Sequence, residues 1–379
     1  MIRDFGPQAL NYRIHYREVA LLKREAARIL RENKTPGYQV GLCAKHFPKH
    51  GDRRVKLYQH KKCKRVKQHG LVNCGRYSCA YCAPIRLAKI RKRIEQTIQV
   101  WKFQYGGAFL FFSLTVPHHA GEPEAIVKKR LDETKKRFFN RMAWRRFRKR
   151  VGYRYRIVVR EAMYGRNGPH PHLHVLLYVR HDDYTAKDLH RLKMAWIQAY
   201  PLDPSKPWEK PTYDNGLHIS RPPPEFSIAN YLTKWGLSSE VTRSCDKSPR
   251  GEGARTLWNL LEDSRKGDHQ AAVLFREHFE CMENQRIFST SRNLYLDLGV
   301  EDPEEEGELR DEDAELEGWE LVADITEDWE LIRRHGQMWR LYALVHRFGV
   351  KGLHFFRRFM ARVDWMEYEE KKWRAWSAA

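Results

Sequence analysis

The run Gly168-Pro169-His170-Pro171-His172-Leu173-His174-Val175-Leu176-Leu177 holds the residues of this chain best suited to chemistry. His172 and His174 stand two apart in an apolar stretch. On a β-strand, side chains two apart share a face, so both imidazoles point one way and Leu173 and Val175 the other. Two imidazoles on one face are a pair of metal ligands that needs a third. Further on, Tyr231-Leu232-Thr233-Lys234 lies in a stretch of helical character, Ser227 to Leu237. Tyr231 and Lys234 are three apart and share a helical face. A phenol beside an ammonium is a nucleophile with a charge stabiliser. The phenol is mostly protonated at neutral pH, its ordinary pKa being near ~10, and a cation beside it favours the phenolate.

A second group lies upstream. Cys63-x10-Cys74-x4-Cys79-x2-Cys82 has the spacing of a zinc site, in which a Cys-x-x-Cys knuckle clamps one side of a tetrahedral ion and two more thiolates close it. The first ligand is the open choice: Cys43, His60 or His69 could replace Cys63. Four reduced cysteines in an apolar core are the alternative. The segment is polar and lacks apolar periodicity, which argues against it. Cys245 and Cys281 stand apart from the cluster.

The elements that must position these groups follow from periodicity. Residues 12–33 repeat apolar residues at helical spacing, and Pro36-Gly37 closes the helix. Residues 38–84 read as irregular and 85–100 as a basic helix. Ala108 to Val116 is a buried strand, and residues 125–150 one long basic helix. Tyr155 to Glu161 and His172 to Val179 read as neighbouring strands joined through the turn at Tyr164 to Gly168. Pro171 lacks a ladder donor and marks the start of the second strand. Tyr184 to Tyr200 is helical, Leu217 to Ser220 a short strand, and Pro222-Pro223-Pro224 a stiff entry to the Tyr231 helix. Residues 257–281 read as helix and 286–298 as extended chain. Trp319 to Ile332 reads as a hairpin or short helix pair, and Leu341 to Trp376 as one or two helices. This order predicts an α+β fold, a central antiparallel sheet with helices packed against it. Five segments are expected: 1–100 (helix and zinc segment), 101–240 (catalytic domain), 241–300 (helical extension), 301–317 (acidic linker) and 318–379 (C-terminal helices).

Taken together, these motifs resemble the HUH endonuclease superfamily, in the group of plasmid and phage rolling-circle replication initiators with a single nucleophilic tyrosine. The first motif of that group resembles Phe109 to Pro117, the second His170 to Leu177 and the third Tyr231 to Lys234. The likeness extends upstream to the cysteines and downstream through Thr256 to Leu261, Lys266-Gly267-Asp268 and Phe288 to Arg292, covering roughly residues 60–300. It implies a sheet with the His pair on a central strand. It also implies a metal-dependent nickase and strand transferase in which Tyr231 attacks a phosphate, leaving a 5′-phosphotyrosine and a 3′-hydroxyl that a polymerase extends. Lys234 assists the phenol. Glu161 is the first choice for the third metal ligand, since it ends the neighbouring strand and the group often carries a carboxylate there; His170 is the second. The ion is Mn²⁺ or Mg²⁺, with Mn²⁺ bound more tightly by imidazole. Some relatives carry a glutamate one helical turn before the tyrosine to activate water for termination. Ser227 stands at that position and Glu225 two residues earlier, which leaves the termination step open.

Composition agrees with a nucleic-acid partner. The 379 residues carry a net charge of +22 with 12 Trp, 18 Tyr and 17 Phe. Residues 301–320 hold twelve acids and one arginine, a net of −11, which leaves +33 on the rest. Cations neutralise phosphates and aromatic faces stack on unpaired bases. The expected DNA contacts are Arg86, Lys89, Arg91, Lys92 and Arg93 on one helix and Arg145, Arg146, Arg148, Lys149 and Arg150 on another. The partners expected are single-stranded or hairpin origin DNA, a host helicase and a DNA polymerase, with a homo-oligomer also compatible and no membrane. No Walker A loop occurs. The lack of an apolar leader and seven cysteines, an odd number, point to a reducing cytoplasm. Two other readings remain in view: an HUH-type transposase, and a zinc-dependent DNA-binding regulator without catalysis.

Overall fold

The computed structural model describes residues 7–32, 39–48, 53–202, 209–221, 254–282, 285–300 and 318–377. It is an α+β structure with two antiparallel sheets and helices packed on them. The first hundred residues form α1 (Pro7–Glu32), α2 (Gln39–Leu42), β1 (Lys56–His60), β2 (Val66–His69) and α3 (Cys82–Phe103). Then come β3 (Ala108–Leu114), α4 (Glu124–Asn140), α5 (Met142–Arg150), β4 (Tyr155–Gly165), β5 (Gly168–Val179), α6 (Ala186–Ala199) and β6 (Leu217–Ser220). After them follow α7 (Leu257–Arg265), α8 (His269–Met282), β7 (Phe288–Thr290) and α9 (Leu294–Asp297). The C-terminal part holds β8 (Trp319–Asp324), α10 (Thr326–His335), α11 (Met338–Phe348) and α12 (Val350–Ser377).

The chain divides into two compact units, Arg28–Gly37 with Cys82–Glu306, and Met1–Ala27 with Tyr38–Tyr81 and Gly307–Ala379. The C-terminal helices therefore do not form a region of their own. In the smaller unit β2, β1 and β8 form an antiparallel sheet, and Leu57, Ile325, Trp329, Leu341, Val345 and Phe356 share its core. The stretch read as irregular from sequence thus supplies two of three strands. Each is only four or five residues long, and β1, which pairs with β2 on one side, finds its other partner, β8, more than 250 residues away.

The larger unit is built on five antiparallel strands in the order β6-β3-β5-β4-β7. β5 lies in the middle, and every residue from Pro171 to Val179 is buried. Central strands covered on both faces read as apolar runs. Its alternate residues Leu173, Val175, Leu177 and Val179 join Leu110, Phe112 and Leu114 of β3 in one core. Helices α4, α5 and α6 cover that face through Val127, Leu131, Phe138, Trp144, Phe147, Leu192 and Trp196. On the opposite face α3 packs at the Tyr178 end: Thr97 Oγ1 lies 2.8 Å from the Tyr178 hydroxyl, and Trp101 Nε1 donates to the Val179 carbonyl at 3.2 Å.

Three local departures from the sequence reading have physical causes. The basic helix of residues 125–150 is two helices, broken at Arg141 (φ −75°, ψ 152°), whose guanidinium donates to the Gln198 carbonyl. β5 starts at Gly168, and Pro171 lies inside it opposite Ala162. Beyond Leu173 no β3 residue pairs with β5, so that side of the strand is open and tolerates a missing N–H. The positive φ of the β4–β5 turn falls on Gly168 (+80°), a backbone that a side chain would strain. Residues 257–281 likewise split into α7 and α8.

A buried charge fastens α4 to this sheet. Glu124 is 2 % exposed; it accepts a hydrogen bond from the Tyr164 hydroxyl at 2.9 Å and meets His278 Nδ1 at 3.0 Å. Burial alone would raise its pKa, but the charge and hydrogen bond of His278, with Tyr164 and Arg160, outweigh burial and lower it. A carboxylate with a depressed folded pKa adds stability above its ordinary range, lost as pH falls through the folded value. Glu124→Gln is therefore expected to cost about 1–3 kcal/mol at pH 7 and to flatten the acid limb of the stability curve. Urea unfolding from pH 7 to pH 3 measures it; equal losses at both ends would remove the carboxylate's charge from the account.

Candidate metal centres and basic surfaces

The strand registers bring three ligand-bearing side chains to one point. His172 of β5 pairs with Glu161 of β4, and His174 lies between Val159 of β4 and Ser113 of β3. All point away from the core shared with α4–α6, because residues that face each other across strands share a side. Glu161 Oε2 lies 2.6 Å from His172 Nε2 and 3.2 Å from His174 Nε2. The ligand atoms of Glu161, His172 and His174 all fall within 4.8 Å of one another. The Glu161 side chain is only 7 % exposed and that of His174 5 %.

The other ring nitrogens fix which atoms can ligate. His172 Nδ1 sits 3.1 Å from the His170 carbonyl. A carbonyl only accepts, so Nδ1 donates to it; Nε2 then donates to Glu161 when the ring is charged and offers its lone pair to a metal ion when the ring is neutral. His174 Nδ1 lies 3.3 Å from Ser113 Oγ, and the Phe111 ring stacks on this imidazole with centroids 5.3 Å apart and planes at 22°. These contacts set ring orientation in the way that partners behind a metal-binding histidine do.

Burial lowers the pKa of His174, with the charge of His172 adding to it against the hydrogen bond of Glu161. His172 goes the other way: burial opposes its charge, but the hydrogen bond and charge of Glu161 outweigh it and raise the value. One carboxylate oxygen and two imidazole nitrogens fit a divalent first-row cation.

His170 stays out of this group. Its ring stacks on His118 at 4.4 Å and 14°, and burial, with the nearby His172 and His118, pushes its pKa down to about 4. His118 and Ser113 did not emerge from the sequence. Ser113 had the parity of a site residue on a strand already recognised, and His118 follows Pro117 just beyond that strand. Tyr231 and Lys234, with Ser227, Glu225 and Cys245, lie outside the described residues.

The cysteine cluster differs from the expected set in one ligand. Cys43, Cys74, Cys79 and Cys82 place their sulfurs within 4.8 Å of one another. Sulfurs around a zinc ion at a bond length of about 2.3 Å stand about 3.8 Å apart, so the four fit a tetrahedral ion. Cys63 is exposed and takes no part; it follows β1 in a turn, whereas Cys43 is buried just after α2. The Cys74 amide points to Cys43 Sγ at 3.5 Å, and Gly75 adopts φ +64° directly after that ligand. Neither His60 nor His69, the other two alternatives, joins the cluster.

Comparison with protein-family models, with curated proteins and with solved structures gives no match. The geometry therefore carries the reading.

The expected DNA contacts divide. Arg86 is 5 % exposed and cannot lie against DNA as it stands: it follows Cys82 by one helical turn and precedes Ile90 by another, on the buried stripe of α3. Arg91 pairs with Glu95 at 3.7 Å and Arg93 bonds Gln96 at 3.2 Å, while Lys89 and Lys92 are exposed. On α5, Arg145, Arg146, Arg148 and Lys149 are exposed, and Arg150 pairs with Asp188 at 3.3 Å. Among the described residues no helix is long and apolar enough to cross a membrane.

Proposed function

We propose that this chain is a metal-dependent DNA nickase and strand transferase of the HUH type that initiates rolling-circle replication. The observation that carries the reading is the convergence of Glu161, His172 and His174 on one face of an antiparallel sheet, with the His pair on its central strand. That is the arrangement expected from the resemblance of Phe109–Pro117, His170–Leu177 and Tyr231–Lys234. The same donor set also suits the iron of non-haem oxygenases. The charge of +22 and the Tyr-x-x-Lys motif favour phosphodiester chemistry.

Glu161, His172 and His174 would hold a divalent ion, which would supply polarisation of the non-bridging oxygens of the scissile phosphate. Glu161 balances the ion's charge, and Ser113, Phe111 and the His170 carbonyl hold the two rings in place. The Tyr231 oxygen forms a bond to phosphorus as its proton leaves to solvent, and the bond from phosphorus to the 3′ oxygen breaks, that oxygen taking a proton from solvent. Lys234 stabilises the phenolate. The products are a 5′-phosphotyrosine and a free 3′-hydroxyl. In this reading the four cysteines hold structural zinc, and the protein works in the cytoplasm with a host helicase and polymerase.

Incubation with single-stranded oligonucleotides from the origin and Mn²⁺ is expected to give a covalent adduct that peptide mass mapping places on Tyr231, absent in Tyr231→Phe. An adduct on another tyrosine overturns the nucleophile. No adduct with any origin strand, alongside tight DNA binding, favours the non-catalytic regulator.

A further inference from the structure

The cations of α4 and α5 and the Glu161–His172–His174 group lie on opposite sides of the five-stranded sheet. Val127, Leu131 and Phe138 of α4 and Trp144 and Phe147 of α5 pack on Leu173, Val175 and Leu177. His172 and His174 alternate with those residues and so face away from both helices. The surface of α4 and α5 turned from the core carries Lys129, Lys136, Arg137, Arg145, Arg146, Arg148 and Lys149, all exposed. None has an ion pair among the described residues. One acid, Glu133, shares that face of α4, and α5 has none in its sequence Met-Ala-Trp-Arg-Arg-Phe-Arg-Lys-Arg. A helix with its side chains is about 10–12 Å across, so these cations stand farther than that from the metal group, with the sheet between. A strand cut at Glu161–His172–His174 cannot at the same point lie against them.

We infer that the outer face of α4 and α5 is a second nucleic-acid site, which holds duplex DNA behind the sheet while a single strand occupies the metal face. The assignment of the metal face to a cut strand rests on the reading above; the duplex site itself rests on charge and topology. An uncompensated cationic patch on packed helices fits the phosphate backbone and reads no sequence. It suits a protein that must stay on a duplex near a locally unpaired site.

The test uses the full chain with Arg145, Arg146, Arg148 and Lys149 all changed to Gln, and a second variant, K129Q/K136Q/R137Q, on α4. Fluorescence anisotropy reports binding of a 20-base-pair DNA duplex of arbitrary sequence at several salt concentrations. Gel assay reports Mn²⁺-dependent cleavage of a short single-stranded origin oligonucleotide. The expected result for the first variant is at least a tenfold loss of duplex affinity and a salt dependence shallower by about 3 to 4 in log–log slope, one phosphate contact per cation. Single-strand cleavage should stay within twofold of the parent. Unchanged duplex binding in both variants overturns the site. A parallel loss of cleavage assigns these cations to the cut strand and overturns the separation. Equal or tighter binding of an RNA duplex of the same sequence by the parent, lost in the variants, makes the partner RNA and overturns the DNA assignment. If the parent cleaves no oligonucleotide, the nickase reading fails while the duplex measurement still decides this one.

Discussion

Alanine at His174 is expected to lower Mn²⁺ affinity by more than about a hundredfold and to abolish the proposed Mn²⁺-dependent nicking, whereas Ser113→Ala is expected to cost about tenfold. Loss of a partner behind a ligand typically costs about 10–100-fold in metal affinity, and loss of the ligand itself must exceed that. His174 supplies an Nε2 lone pair at the point it shares with His172 and Glu161, while Ser113 only orients the ring from the far side at 3.3 Å. The graded pair of variants separates a metal centre from a buried ion pair. If Glu161 with its two histidines were only structural, His174→Ala would lower the melting temperature and leave Mn²⁺ binding, read from the free-ion electron paramagnetic resonance signal, absent in parent and variant alike. That outcome would sink the proposed chemistry.

The His pair and the strand that carries it were legible because both rest on a local rule. Alternation is fixed by the strand backbone, so His172, His174 and their shared face follow from three consecutive residues. Glu161 was reachable because the β4–β5 hairpin makes the register arithmetic: Gly165 opposite Gly168 puts Glu161 opposite His172. His118 was not, since its place beside His170 depends on the course of the loop after β3, which no periodicity encodes. Cys43 against Cys63 failed for a related reason. Cys63 is nearer in sequence, but the turn after β1 leaves it in solvent, and Cys43 is 31 residues from Cys74. Spacing ranks ligands by loop length, whereas the fold selects by burial. Arg86 shows the converse error, in which a charged residue type was read as surface although its helical position lay on the apolar stripe with Cys82 and Ile90. The C-terminal helices joined the N-terminal segment because β8 completes the sheet of β1 and β2, a long-range pairing that strands of four to six residues do not announce.

If the cluster holds zinc as proposed, serine at Cys43 or Cys82 is expected to remove it and with it much of the stability of the cysteine segment, while serine at Cys63 is expected to change neither. Structural zinc contributes an apparent ~10–16 kcal/mol at neutral pH, as much as the whole stability of an ordinary domain of about 5–15 kcal/mol. Around Cys43, Cys74 and Cys79 the described backbone holds a four-residue helix and turns. Four buried or half-buried thiols within 4.8 Å, none in a disulfide, are what a metal would have to replace there. Metal content by plasma emission should fall from one zinc per chain to well below one in the Cys43 and Cys82 variants and stay at one in Cys63→Ser. Melting temperature should follow metal content, and a chelator should bring the parent down to the Cys82 variant. Cys63→Ser losing its zinc while Cys43→Ser keeps it would reverse the ligand set. A parent that melts identically with and without chelator would reduce the cluster to four packed thiols.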